Sequence, residues 1–356
     1  MKHVFVLGAG ASAASSNTPL GSALVWNYHA DCTLLKTYNS KGEPDLTEDN
    51  KKFTNYKKFL GLVGRHYPEL KDELARYEVR GDSFYHAPKS SDKKYFVDEI
   101  LRVVQERQDI EGASLIRNLI FEHIVLSSLG YPDLGYKKFK TDILKNKDSS
   151  SVSIISFNFD FLLREDFRDE ISFDYLLEFG WIEKTRASQY KGRGTIPLIK
   201  LNGSLDWGVC QKCDRMHLYF YPRDKEFFNK KLCEKCGGSI QPFIVIPHEK
   251  DSEILNVLWN TAESALRQAD KITIIGYSFP AYDQKVISLF KRALNRDVEI
   301  EVIDHCESNE DQTEKVQTIR NKYKRMFPEL MKETRVSVGG FRAYIAEKEI
   351  GIVEHG

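Results

Sequence analysis

The chain has 356 residues, 41% of them apolar and 29% charged, and its 52 Lys and Arg cancel its 52 Asp and Glu. A formal charge of zero excludes a protein that binds nucleic acid through bulk electrostatics. No apolar run approaches the ~20 residues of a membrane-spanning helix, so no membrane partner is expected. At ~100 to 200 residues per domain the length allows two or three modules. Six cysteines are few for a disulfide scaffold, and four of them form two C-x-x-C pairs, which reads as metal binding in a reducing compartment. Val4 to Leu7 is too short for the apolar core of a secretory signal, and a cytoplasmic location is expected.

In chain order, Val4 to Leu7 is a continuous apolar run bounded by Gly8, the pattern of a strand buried on both faces, and the small residues after it can open a helix. Val152 to Phe157, Ile196 to Leu201, Lys271 to Ile275 and Val298 to Ile303 are further predicted strands of this kind. Between the last two, Gln284 to Leu294 carries Val286, Ile287, Leu289, Phe290 and Leu294 on one helical face, as a crossover between parallel strands requires. The expected fold class is therefore α/β, a Rossmann-like doubly wound parallel sheet with a helical insertion and a small zinc-ribbon module.

The expected core comprises 1–30, 151–207 and 248–305. The helical insertion is 31–150, with apolar residues at helical spacing from Phe96 to Val104 and from Leu115 to Val125, and its exit loop is 145–151. The four-cysteine ribbon is 208–247. Residues 306–356 complete the core, with a basic amphipathic helix around Val316 to Phe327 and one or two short strands at the end. The second insertion helix is apolar over too wide a face for a solvated surface, which predicts a homo-oligomer.

Gly8, Gly10 and Ala13 form G-x-G-x-x-A directly after a buried strand, where glycines let the backbone approach a pyrophosphate at a helix N-terminus. A tight turn without a ligand is the other reading. Asp31 lies at the spacing of a ribose-binding acid, but no strand precedes it and it carries no assignment. Cys210-x-x-Cys213, 19 residues, then Cys233-x-x-Cys236 fits a closed four-thiolate structural zinc site. A redox dithiol needs only one such pair. His217 is expected at the surface, since the ligand set is complete without it.

Asn158 and Asp160 follow the second strand at the carboxyl edge, where open α/β sheets bind ligands. An Asx turn capping the next helix is the alternative. Asn202-Gly203, Gly276-Tyr277-Ser278 and Asp304 end three more strands in the same way. His123, among apolar helix residues, reads as a core histidine, and His248 as a candidate base near the cleft.

Together these features resemble the sirtuin family. Gly8-Ala9-Gly10-Ala11-Ser12 with Pro19 resembles its nucleotide-binding loop, and Phe157-Asn158-Phe159-Asp160 resembles its Asn-x-Asp motif. Leu201-Asn202-Gly203-Ser204 stands in the place of its His-Gly motif, and Gly276-Tyr277-Ser278 and Val302-Ile303-Asp304 resemble its adenosine-holding segments. Lys-Leu-x-Gly-Ser-Leu-Asp-Trp and Ile-Gly-Tyr-Ser-Phe-Pro look like the divergent bacterial branch associated with NAD hydrolysis in antiviral defence.

The resemblance implies NAD+ as substrate and a structural Zn2+. Gly8, Ala9, Gly10, Ala11 and Ser12 would hold the pyrophosphate, and Gly276, Ser278 and Asp304 the adenosine half. Asn158 would orient the nicotinamide ribose or attacking water, and Asp160 would contact nicotinamide. Asn202 stands where the family has its His base, and an amide cannot take up a proton. The implied function is an NAD+ glycohydrolase impaired by Asn202. An NAD- or ADP-ribose-binding assembly subunit is the alternative, with an NAD-dependent protein deacylase behind it. A ring-shaped DNA-translocating ATPase is the partner the resemblance suggests.

Overall fold

The computed structural model describes residues 1–16, 49–76, 100, 103–104, 106–130, 134–164, 171–177, 180–181, 195–219, 231–245, 253–281, 283–294, 297–306, 308, 310–328 and 334–353. Contacts divide the chain into two compact units, Met1–Thr18 with Ser127–Gly356, and Pro19–Leu126.

The first unit is built on a seven-stranded parallel sheet. Its strands are β1 (His3–Leu7), β2 (Val152–Ser156), β3 (Ser172–Asp174), β5 (Thr195–Lys200), β9 (Lys271–Ile275), β10 (Glu299–Ile303) and β11 (Arg335–Ser337). They lie in the order β11-β10-β9-β1-β2-β5-β3. β1 is central, with Val6 beside Ile155 on one side and Ile274 on the other. Every residue of β1 is buried, as continuous apolar runs in a sheet covered on both faces require. The chain leaves β1 toward β2 and later returns to β9 on its other side, so the strand order reverses at β1, the position where such sheets open a crevice at their carboxyl ends.

The helices of this unit are α1 (Ala9–Ser16), α5 (Leu134–Lys138), α6 (Glu253–Gln268), α7 (Gln284–Ala293), α8 (Gln312–Met326) and α9 (Gly340–Val353), with a π-helical turn at Phe139–Leu144. α1, α5, the π-turn and α9 pack on one another, as do α6 and α7. α7 is the expected crossover. Asp283 caps it by accepting from Val286 N, and Val286, Ile287, Leu289, Phe290 and Ala293 are buried. Each large apolar side chain so buried contributes roughly 1.5 to 3 kcal/mol.

A second sheet, ordered β4-β7-β6-β8, consists of β4 (Gly180–Trp181), β6 (Gly203–Cys210), β7 (Met216–Leu218) and β8 (Ile240–Ile244). β6 starts three residues after β5 ends, so the cysteine module grows directly from the carboxyl edge of the main sheet.

In the other unit, α2 (Asp49–His66), α3 (Pro68–Arg76) and α4 (Ile110–Gly130) are helical. α4 buries Ala113, Ile116, Leu119, Ile120, Phe121 and Ile124. Asp109 caps its start, accepting from Gly112 N at 2.8 Å and from Arg65. That N–H and the guanidinium hold its carboxyl down at about 2. Of the predicted helix from Phe96 to Val104, Ile100 and Val104 are described and buried.

Three features differ from the sequence reading. The end of the chain holds one strand, β11, followed by the helix α9 rather than a second strand. Phe341, Tyr344 and Ile345 are buried along it, a helical spacing that overrides the local β-preference of its isoleucines. α2, α3, α5, α6, β3 and β4 were not anticipated. The boundary between units also falls at Leu126, ahead of the expected exit loop, because α5 and the π-turn pack against α1 and α9.

At the amino end of the sheet the polar groups are paired among themselves. His3 meets Thr273 at 2.8 Å, and Lys271 lies 3.1 and 3.0 Å from Glu299 and Glu301. Burial, with Lys147 and Lys271 nearby, pushes the His3 imidazole down to about 3, so it is neutral. Among the described residues, no helix is long and apolar enough to cross a membrane.

Candidate functional site

The expected site residues gather at the carboxyl edge of the main sheet in two groups. The first lies at the ends of β1, β2 and β5. Asn158, Asp160 and Asn202 are all buried, at 7, 5 and 8% exposure. Asn158 Nδ2 donates to Gly8 O at 2.8 Å and to Ser12 Oγ at 2.8 Å, and reaches Tyr136 Oη at 3.2 Å. Ser12 Oγ donates to Asp160 Oδ2 at 2.6 Å, and Asp160 Oδ1 accepts from Leu162 N at 3.2 Å. The Asx turn weighed from the sequence is thus present at Asp160, and the same carboxylate also ties the β2 loop to α1. Because Gly8 O can only accept, the amide of Asn158 must turn its nitrogen inward, which leaves its oxygen as the remaining acceptor.

The loop that carries Asn158 is clasped by the segment after β5. Ser156 O accepts from Leu201 N at 3.1 Å, Phe157 O from Asn202 Nδ2 at 2.9 Å, and Phe159 O from Leu205 N at 2.8 Å. Ser204 Oγ adds a longer bond to Phe159 O, and Lys200 Nζ donates to Asp160 O. Four carbonyls, of Ser156, Phe157, Phe159 and Asp160, are therefore satisfied by five residues between Lys200 and Leu205, which fixes the loop against its neighbour. Asn202 enters this clasp through its amide nitrogen. A histidine there could donate one ring N–H to the same carbonyl and keep its other nitrogen as a base, whereas Asn202 keeps only a non-basic oxygen.

The second group lies at the ends of β9 and β10. Ser278 is exposed and Asp304 half-buried, and both line a cleft of about 530 Å³ closed on its far side by α8. Asp304 Oδ1 accepts from His305 N at 2.8 Å. Lys322 Nζ donates to Ser278 O, and burial lowers its pKa while Asp304 opposes that shift. Lys315 is paired with Glu310 at 3.3 Å. Burial, with Asp304 nearby, pushes the Tyr323 phenol well up. The two groups meet where the Phe157 and Tyr277 rings stack, 4.3 Å apart and 21° from parallel.

The glycine turn sits between them. Gly8 N donates to Ile275 O, Gly10 N to Gly276 O and Ala11 N to Gly8 O, at 2.9, 3.0 and 3.0 Å. A Cβ on Gly276, where φ is +62°, would lie 2.4 Å from Ala11 N, and one on Gly8 would lie 2.4 Å from Gly276 O. These glycines therefore serve a close backbone approach between the β1 and β9 turns. Ala9 is the exposed residue of the turn.

Cys210, Cys213, Cys233 and Cys236 converge at the end of β6 in the second sheet and in the turns beside it, with all four sulfurs within 4.8 Å of one another. The Cys210–Cys236 and Cys213–Cys233 pairs are 3.5 and 3.6 Å apart. Tetrahedral zinc at Zn–S of about 2.3 Å asks for ~3.8 Å between sulfurs, so the four thiolates fit a metal ion. His217 is fully buried, contrary to the surface position expected of it, because β7 lies inside this sheet between β4 and β6.

The side chain of His123 and the whole of Pro19, Asp31, Cys32 and His248 lie outside the described residues. Two residues of the first group were missed in the sequence. Tyr136 stands in a short helix with no motif. Lys200 did carry a signal, as a charge inside the apolar run Ile196 to Leu201, which a buried strand accommodates only when the amine has partners.

No protein-family model matches the chain, and no curated protein matches it. Among solved structures, one described as Sir2Tm bound to a propionylated peptide matches at 12% identity and a TM-score of 0.42, over 99% of this chain and 94% of that one. One described as the structural basis for the mechanism and regulation of Sir2 enzymes matches at 15% and 0.41, over 99 and 94%. A complex of a Sir2 homologue, with a histidine replaced by asparagine, and ADP-ribose matches at 15% and 0.41, over 99 and 92%.

Proposed function

We propose that the protein is a sirtuin-like NAD+ glycohydrolase that splits NAD+ into nicotinamide and ADP-ribose, held in a low-activity form by Asn202. The observation that carries this reading is the convergence of Ser12, Asn158 and Asp160 beside Asn202 at the carboxyl edge, next to the cleft of Ser278 and Asp304. The sequence likeness of these same segments to sirtuin motifs supports it.

The adenosine ribose would sit in the cleft with its hydroxyls on Asp304. The nicotinamide ribose would lie by Asn158, whose outward amide oxygen accepts a hydroxyl or the attacking water. Cleavage breaks the bond from ribose C1′ to the pyridinium nitrogen. The electron pair leaves with nicotinamide, which departs neutral without an acid, and the positive charge builds on the sugar. Carboxylate and amide dipoles aimed at that charge lower the barrier. Water then adds to C1′ and gives up a proton, the step for which Asn202 offers no base.

Depletion of NAD+ in antiviral defence, assembly into a homo-oligomer in the cytoplasm and activation by a ring-shaped DNA-translocating ATPase belong to this proposal. One observation favours a second reading, a subunit that binds NAD+ or ADP-ribose without turning it over: the Asn202 amide is committed to Phe157 O. Nicotinamide release from NAD+ by the chain and by Asn202→His separates the two. A rise of about 10²-fold or more in the variant is expected. A variant that binds NAD+ and stays inert refutes the glycohydrolase.

A further inference from the structure

Asn158 can act as described only if its amide is held with the oxygen outward, and the bonds around Ser12 show what holds it. Ser12 has one proton, and its partner Asp160 Oδ2, at 2.6 Å, is a carboxylate oxygen that accepts. That proton is therefore spent. Tyr136 Oη, 2.9 Å from Ser12 Oγ, must then be the donor of that contact. Ser12 Oγ in turn accepts from Asn158 Nδ2, which also lies 3.2 Å from Tyr136 Oη. The order of protons is thus Tyr136 to Ser12 to Asp160, with the second N–H of Asn158 directed at both hydroxyl oxygens and the first at Gly8 O.

Tyr136 reaches this point because α5 lies unusually close to α1. A Cβ on Gly135 would stand 2.5 Å from Ser15 Oγ. The tyrosine ring is 1% exposed and packs edge-on to Phe341, with centroids 5.7 Å apart. Its hydroxyl is thereby delivered to Ser12 by ring packing that a phenylalanine would keep.

We propose that Tyr136 is a positioning residue of this site, its hydroxyl setting the hydrogen-bond order that orients the Asn158 amide. The activity part of the inference rests on the glycohydrolase reading, and the orientation part does not. Without the hydroxyl, Ser12 loses a donor and Asn158 loses one of the acceptors that fix its nitrogen inward.

The test is Tyr136→Phe, made in the chain and in its Asn202→His form, and read in three ways. With asparagine side chains 15N-labelled and the Asn158 amide assigned by its loss in Asn158→Asp, the Asn158 NH2 resonances are expected to shift, with the melting temperature little changed. In the Asn202→His background, kcat for nicotinamide release is expected to fall about tenfold at a KM within about twofold. Unchanged Asn158 resonances overturn the proposal whether or not any form releases nicotinamide. A fall in kcat that comes with a matching rise in KM and a lower melting temperature also overturns it, since that is the pattern of a packing residue. If the resonances shift while no form binds NAD+ or releases nicotinamide, the positioning holds and the glycohydrolase reading fails.

Discussion

At the ends of β1, β2 and β5 the polar side chains are turned on one another, whereas at the ends of β9 and β10 they face a cleft of about 530 Å³. Ser12, Tyr136, Asn158 and Asp160 are bonded to one another, and the space around Asp160, Tyr136 and Lys200 amounts to about 10 Å³, no more than one water. On the other side of the Phe157–Tyr277 stack, Ser278 is exposed and Asp304 has one carboxylate oxygen on His305 N. In the proposed function the difference separates two tasks. A closed, cross-bonded set holds groups in the geometry that chemistry needs, and its donors are already ordered before a ligand arrives. An open cleft with a half-buried acid receives a ligand, and its specificity comes from the few polar atoms it offers.

The largest effect expected from disturbing this contrast comes through the metal. The clasp on the Asn158 loop is the first part of the chain that continues as β6, and β6 supplies Cys210. The protein as purified is expected to carry one zinc per chain. A strong chelator should remove it and lower the melting temperature by roughly 10 °C, because binding energy at a structural zinc site is folding energy. Full zinc loss with an unchanged melting curve would show that the ribbon stands independently of the closed group.

A smaller effect is expected from Asp160→Asn. The variant weakens the bonds from Ser12 Oγ and Leu162 N in a buried setting, so a stability loss of about 2 kcal/mol by urea unfolding is expected. In the proposed function the change removes the carboxylate that would contact nicotinamide, so activity restored by Asn202→His should fall as well. Stability within about 0.5 kcal/mol of the parent would mean that the closed group is not cross-bonded in solution.

Much of this architecture could be read in advance, and the exceptions have physical causes. Five of the seven sheet strands lay within one or two residues of their apolar runs, because a parallel strand buried on both faces has no polar alternation to obscure it. β3 and β11, three residues each and at the two edges of the sheet, leave no such run, and β11 was expected only as a short strand without bounds near the chain end. α9 contains Ile345, Ile350 and Val353, which favour strands locally, and only packing against α1 and the π-turn decides for helix. Within the site, Asn158, Asp160, Asn202 and Asp304 were visible because each closes a strand. Tyr136 was not, since its proposed role depends on α5 lying against α1, a contact across more than 100 residues of chain. The glycines of the first turn were read as room for a phosphate, and the structure shows the β9 turn in part of that room.

The smallest change expected is also the most telling about the open half. Asp304→Ala removes the acid from the cleft and leaves the closed group untouched, so stability should hold while ADP-ribose affinity falls about tenfold, close to 1.4 kcal/mol. Calorimetric titration of ADP-ribose into the chain and into this variant is therefore the most direct test that the carboxyl edge is a dinucleotide site. Saturable binding of one ADP-ribose per chain, weakened in Asp304→Ala, is the expected result. No saturable binding to the chain, or equal affinity in the two proteins, would contradict it.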